Sequence, residues 1–234
     1  MKERPILFSS EMVQAILSGQ KTMTRRIIKH EHASEIDAWA WDSERGLWEA
    51  GVAGDYGRLA HGDWVRCPYG VPGDRLWVRE TWALSFGGLV VTDLADVGGI
   101  KSRPTDCEVL YRADGATIRN ATFRPSIHMP RWASRITLEV TAVRAERLQQ
   151  ISGADCQAEG IILPVGKTKD PDKFIPLFRV PNPYGVPPAK GKRWTEDDFW
   201  RCAFACLWDD INGKRAPWES NPWVWVVEFK RVQP

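Results

Sequence analysis

No stretch of this 234-residue chain approaches the ~18 consecutive apolar residues of a membrane-spanning helix, so no membrane partner is expected. The start, Met1-Lys2-Glu3-Arg4-Pro5, likewise lacks the apolar run of a signal peptide. Cysteine is scarce: Cys67, Cys107, Cys156, Cys202 and Cys206 are an odd number without the spacing of a disulfide framework. A cytosolic protein with reduced thiols is therefore expected. Cys202 and Cys206 stand four apart, but no Cys/His pair lies nearby to complete a metal site, so core packing is their expected role and neither metal nor cofactor is expected. Neither sign of charge dominates, since 32 basic and 30 acidic residues give a formal net charge of +2. That balance excludes a global field for duplex binding and leaves room only for local nucleic-acid contacts. There is no internal repeat, and the only biased stretch is proline-rich.

What is present is enough apolar material, 43% of residues, for a sizeable core in one elaborated domain spanning the chain. Thirteen tryptophans are the compositional excess. Most are expected to be structural, while a few are candidates for base stacking, which contributes ~1–3 kcal/mol per base.

Three segments alternate as strands: Gly73 to Trp82 behind a Pro-Gly-Asp turn, Arg135 to Val143, and Pro222 to Lys230. The last is apolar on both faces, which predicts cover on both sides. Ser152 with Asp155 opens a short helix through Glu159 that Gly160 ends, and Thr195 with Asp198 opens a longer, largely buried one. Three stretches read as insertions, at about 30–62, 87–130 and 163–191; the last, rich in proline, is a candidate lid or rim, with disorder the equal alternative.

The densest polar chemistry lies in Gly19-Gln20-Lys21-Thr22-Met23-Thr24-Arg25-Arg26. Ser10 is the expected cap of a helix carrying Met12, Val13, Ile16 and Leu17 at helical spacing, and Gly19 suits a left-handed C-terminal cap. The following residues alternate as a strand, with Thr22, Thr24 and Arg26 on one face and Lys21 at its mouth. The plain alternative is an exposed basic turn.

The pattern Gly-x-Lys-Thr-x-Thr-x-Arg after a short helix, the Gly-Asp turn entering a strand, and the final Val-x-Glu-Phe-Lys strand resemble the ASCH-domain proteins of the PUA-like superfamily. The Pro-Gly-Asp-Arg-Leu-Trp-Val-Arg-Glu-Thr-Trp segment and the ending Trp208 to Val226 resemble more specifically the large ASCH proteins of phages and prophages. The resemblance spans most of the chain outside the insertions. It implies an α+β fold, a small mixed PUA-like β-barrel flanked by helices, working in the cytoplasm of a bacterial host. At the Gly-x-Lys-Thr-x-Thr-x-Arg motif the chain is similar to bacterial N(4)-acetylcytidine amidohydrolases, which implies functional roles for Lys21, Thr24 and Arg26 and, after the Ile136–Val143 strand, for Glu159. Glu159 stands out without the family too, because a carboxylate in the last turn of a helix faces the negative end of the macrodipole.

The activity so implied is metal-independent removal of an N-acyl group from a base. Thr24, or a water it holds, would attack; Lys21 would take the proton; Glu159 would shuttle it to the leaving amine or orient Lys21; and Arg26 would stabilise negative charge or hold the loop. Lysine must fall from ~10.4 towards ~7–8 to serve; burial and neighbouring Arg25 and Arg26 are expected to favour that fall, and Glu159 at close range opposes it. A tight resting Lys21–Glu159 pair therefore points towards binding. In that alternative the protein is a reader of modified bases or single-stranded nucleic acid, with Lys21 and Arg26 on a phosphate or base edge, a tryptophan such as Trp77 or Trp82 stacked on the base, and Thr22 a further candidate substrate contact. Trp77, Arg79 and Glu80 are further candidate substrate contacts in both readings; strand core for Trp77 and an ion pair for Arg79 or Glu80 are the structural alternatives. A third class is a phage factor that binds a host protein.

Overall fold

Where β-branched and aromatic residues alternate the chain forms strands, and where a hydroxyl precedes an amphipathic run it forms helices. The computed structural model describes residues 1–30, 36–53, 59–86, 89–90, 105–115, 123–162 and 195–232. The proline-rich 163–191 stretch lies outside the described residues, as do parts of the other two insertions. The fold is mixed α+β, with few helices and several sheets. In the largest sheet the strand order is β1 (Glu3–Leu7), β6 (Arg75–Arg79), β10 (Thr137–Arg147), β11 (Trp223–Val232), β2 (Met23–Ile27). Strands β1 and β2 end that order, and among the described residues no sheet closes into a barrel. No helix among the described residues is long and apolar enough to cross a membrane. The chain divides into two compact units.

The first unit comprises Met1–Gly19, Pro68–Ala142 and Phe229–Pro234. Strand β1 runs parallel to β6 with Glu3 opposite Arg75 and Leu7 opposite Arg79, and β10 runs antiparallel to β6 with Thr137 opposite Trp77. The Pro-Gly-Asp turn launches β6 as expected, because Gly73 adopts a φ of 89° that a side chain would resist. Alternation then buries Leu76 and Val78 and leaves Arg75, Trp77 and Arg79 half-buried. A second sheet has the order β8 (Leu89–Val90), β7 (Trp82–Phe86), β9 (Cys107–Tyr111), with Trp82 opposite Tyr111. Helix α1 (Ser10–Leu17) buries Val13 and Ile16. Its cap is Ser9 rather than Ser10: the Ser9 Oγ accepts from the Met12 N–H, while Ser10 already has helical backbone.

The second unit comprises Gln20–Cys67 and Val143–Glu228. Here β2 and β11 pair antiparallel, with Thr24 opposite Val227, Arg25 opposite Val226 and Arg26 opposite Trp225. The 30–62 insertion contributes a meander of β3 (Ala38–Asp42), β4 (Leu47–Ala53) and β5 (Leu59–Val65) where the sequence suggests loop. The physical reason is tryptophan packing: Trp39 and Trp48 meet Trp225 at centroid distances of 5.4 and 5.5 Å. That contact covers one face of β11. The other face, Val224 and Val226, packs with Met23, Leu148, Phe204 and Trp208, so the strand's two apolar faces are both buried. Helices α2 (Gly153–Ala158) and α3 (Glu196–Asn212) start on their predicted caps, Ser152 with Asp155 and Thr195 with Asp198. The N–H of Gly153 donates to Asp197, and a Cβ there would sit 3.2 Å from the Asp197 backbone, so α2 and α3 pack closely at that glycine.

Replacing Ser9 by alanine is expected to cost about 1 kcal/mol in urea unfolding, whereas Ser10→Ala leaves stability within a few tenths of a kcal/mol, because only Ser9 satisfies an orphan helix N–H.

Candidate functional site

Glu159 sits at the C-cap of α2, where the helix leaves its last carbonyls unsatisfied. The entry to β2 runs beside that end. The Thr22 N–H donates to the Ala158 carbonyl at 2.8 Å, and Lys21 and Glu159 form an isolated antiparallel bridge. Backbone pairing thus brings together two residues 138 positions apart and sets their side chains at one place. The Lys21 Nζ donates to Glu159 Oε2 at 2.6 Å and to the Glu159 carbonyl at 2.7 Å. The two side chains are 1% and 6% exposed. The ammonium therefore serves the carboxylate and the negative helix end at once.

Arg25, expected only as a neighbour that lowers Lys21 and not as a site residue, shares this centre. Its side chain is fully buried; Nη2 reaches Asp155 at 2.7 Å and Glu146 at 3.3 Å, while Nη1 reaches the second oxygen of Glu159 at 3.5 Å. Arg144 extends the network to Asp155, Glu146 and Glu228. Three cations and four carboxylates are thus interlocked. Strand alternation carries the signal that finds Arg25: Nη1 of Arg25 also touches the Met23 sulfur at 3.3 Å, so Met23 and Arg25 share one face of β2.

Thr24 and Arg26 consequently leave β2 on the opposite face. Thr24 is buried and Arg26 half-buried. Thr22 precedes the strand and is exposed. The remaining candidates belong to the first unit. Trp77 is half-buried, with the Arg79 and Arg131 guanidiniums 5.4 and 5.9 Å from its ring. Arg79 donates to the Ile127 carbonyl. Glu80 is 1% exposed and held by Arg135 at 2.9 and 3.0 Å, an intramolecular pair that also engages Asp114 at 2.8 Å and stacks Arg135 on Tyr111.

Burial dominates the electrostatics. It pushes the Lys21 ammonium below its ordinary value, with Glu159 opposing and Arg26 and Arg25 adding to the fall. The Cys156 thiol beside the network is pushed up to about 12 by the same desolvation, which makes it a poor nucleophile. Burial also raises the Glu80 carboxyl, against the pull of Arg135. Burial works against the Arg144 charge, yet Glu146 and Asp155 hold it more firmly cationic than usual. Among the described residues no group of three or more His, Cys, Asp or Glu side chains is arranged to hold a metal; Cys202 and Cys206 are half-buried on α3. Chemically, the centre offers a desolvated amine and a carboxylate fixed on both oxygens, while the Thr24 hydroxyl lies on the other face of β2.

Comparison with protein-family models, with curated proteins and with solved structures gives no match to this chain.

Removing one member of the buried pair strands the other. Lys21→Met and Glu159→Gln are each expected to cost about 3–5 kcal/mol, and the double variant less than their sum, in denaturant titrations. Because the Lys21 pKa is lowered on folding, the unfolded chain binds the extra proton between the folded value and ~10.4. Lys21 thus adds a rise in stability as pH climbs through that window, and the rise is absent in Lys21→Met.

Proposed function

We propose that the Lys21–Glu159 centre is the working part of an ASCH-type, PUA-like amidohydrolase that removes an N-acyl group from a modified base such as N(4)-acetylcytidine. One observation carries the reading: the amine and carboxylate that the motif resemblance pairs lie 2.6 Å apart in a desolvated setting. Amide hydrolysis needs a group that accepts a proton from the nucleophile and returns it to the leaving amine. A lysine lowered by burial suits the first task, and a carboxylate within hydrogen-bond reach suits the relay. Thr24, or a water held by it, is the proposed nucleophile, with Arg26 as the stabiliser of developing negative charge on the same strand face. Arg25 is too fully engaged with carboxylates for that last role.

A second reading is favoured by a specific feature. The Lys21 ammonium already has two close acceptors, and the Thr24 hydroxyl leaves β2 on the face opposite Arg25. Such a resting pair suits a module that binds a modified nucleoside or single-stranded nucleic acid, using Arg26 on a phosphate or base edge.

Purified protein without added metal is expected to release the acyl group from N(4)-acetylcytidine or another member of a panel of N-acylated nucleosides. Thr24→Val and Glu159→Gln, verified as folded by circular dichroism, should lower kcat by about 10²–10⁴. The kcat/KM profile should rise with pH to a plateau as Lys21 loses its proton, with its midpoint below the ordinary lysine value. Absence of turnover across the panel, together with salt-sensitive RNA or DNA binding lost in Arg26→Ala, would replace the enzyme with the binding module.

A further inference from the structure

Arg25 occupies a position that the pattern Gly-x-Lys-Thr-x-Thr-x-Arg leaves open, so nothing in the motif asks for an arginine there. The structure nevertheless puts it inside the Lys21–Glu159 centre. Its side chain is 0% exposed, and its terminal nitrogens divide between different carboxylates: Nη2 reaches Asp155 at 2.7 Å and Glu146 at 3.3 Å, while Nη1 reaches Glu159 Oε1 at 3.5 Å. Asp155 and Glu159 lie one helical turn apart, so the guanidinium straddles the last turn of α2 and separates two like charges.

Lys21 by itself does not hold the Glu159 side chain in place. The ammonium also has the Glu159 carbonyl at 2.7 Å, a contact that survives if the carboxylate turns away, whereas the Nη1 contact to the second oxygen opposes that turn. Lys21 is also an impermanent counter-charge. A lysine that accepts a proton from a nucleophile begins neutral, and a neutral Lys21 leaves Glu159, 6% exposed at the negative end of a helix, without the ammonium. Arginine does not deprotonate in proteins, so Arg25 stays charged in both states of Lys21.

We propose that Arg25 is a positioning residue for this centre: it aims Glu159 Oε2 at the Lys21 Nζ and balances the Glu159 charge whenever Lys21 is neutral. The inference rests on the amidohydrolase reading for its effect on turnover, and not for its effect on Lys21. Besides Glu159, the charged and titratable groups ranged around the centre are Asp155 and Cys156 of α2, Arg26 of β2, Arg144 and Glu146 of β10, Glu228 of β11 and Asp197 of α3. Burial lowers Lys21 most, Glu159 opposes, and Arg26 and Arg25 add to the fall, which is the sign the proposal requires. Arg144 is the matched control: it touches Asp155, Glu146 and Glu228 but, among the described residues, not Glu159.

The midpoint of Lys21 is read without turnover from its ¹⁵Nζ resonance, detected through the non-exchanging Hε protons of uniformly labelled full-length protein, with Lys21→Met assigning the signal. Arg25→Gln is expected to move that midpoint upward, because a neutral lysine then leaves Glu159 uncompensated, and Arg144→Gln to move it less. In turnover of an N-acylated nucleoside, Arg25→Gln should lower kcat at the plateau by about 10²-fold with KM little changed, and shift the rise of kcat/KM to higher pH. Arg25→Lys keeps the charge and loses the planar fork; it separates the two effects and carries the test if Arg25→Gln does not fold. Its midpoint should stay near the wild-type value while kcat falls about tenfold or more. An Arg25→Gln midpoint no higher than that of Arg144→Gln, or an Arg25→Lys enzyme with wild-type kcat, would overturn the proposal. A wild type that turns over no acylated nucleoside overturns the amidohydrolase reading alone, and the midpoints then decide the role of Arg25.

Discussion

The pairing of the β2 entry with the end of α2 is the constraint on which the second unit's chemistry depends. A backbone hydrogen bond from Thr22 to Ala158 and the Lys21–Glu159 bridge hold two distant segments in register. Without that register an isolated lysine and an isolated glutamate would each carry the full cost of burial. With it, one ammonium meets a carboxylate and a helix-end carbonyl, and Arg25 meets the carboxylate's other oxygen. Fixing Glu159 on both oxygens orients it, which a proton relay and a rigid binding surface both require.

Cover for this centre comes from apolar packing around β11. Its Val224 and Val226 face joins Phe204 and Trp208 of α3, and the Arg25 guanidinium lies 5.9 Å from the Phe204 ring. The opposite face is sealed by tryptophans from the meander. The tryptophan excess therefore has a structural use in this unit: large rings cover a strand that is apolar on both sides. Low dielectric follows from that cover, and the lowered Lys21 and raised Cys156 pKa values follow from low dielectric.

The first unit shows how partner supply decides what a buried arginine does. Arg135 is saturated by Glu80 and Asp114 and stacked on Tyr111, so it closes off Glu80 as a substrate contact. Arg124 is buried against the Trp82 ring and has no carboxylate partner among the described residues.

Local signals were legible in the chain alone. Gly19 at positive φ, the Ser152 and Thr195 caps, the Pro-Gly-Asp turn and the doubly apolar last strand all depend on hydrogen bonds and sterics within a few residues. The choice of Ser9 over Ser10 was not, because either hydroxyl can cap and the preceding strand's path selects one. The closeness of Lys21 and Glu159 was foreseen through motif resemblance rather than spacing. Arg25 needed the strand's starting residue, since a shift of one position exchanges the faces of Thr24 and Arg25. The meander was hidden because its stability comes from tryptophans meeting Trp225 far along the chain. Sequence by itself determined the caps of α2 and α3, the turn before β6 and the doubly apolar last strand, because these rest on contacts within a few residues; only tertiary structure decided the meander and which charges are paired, because packing, desolvation and counter-charge depend on neighbours that arrive from distant segments.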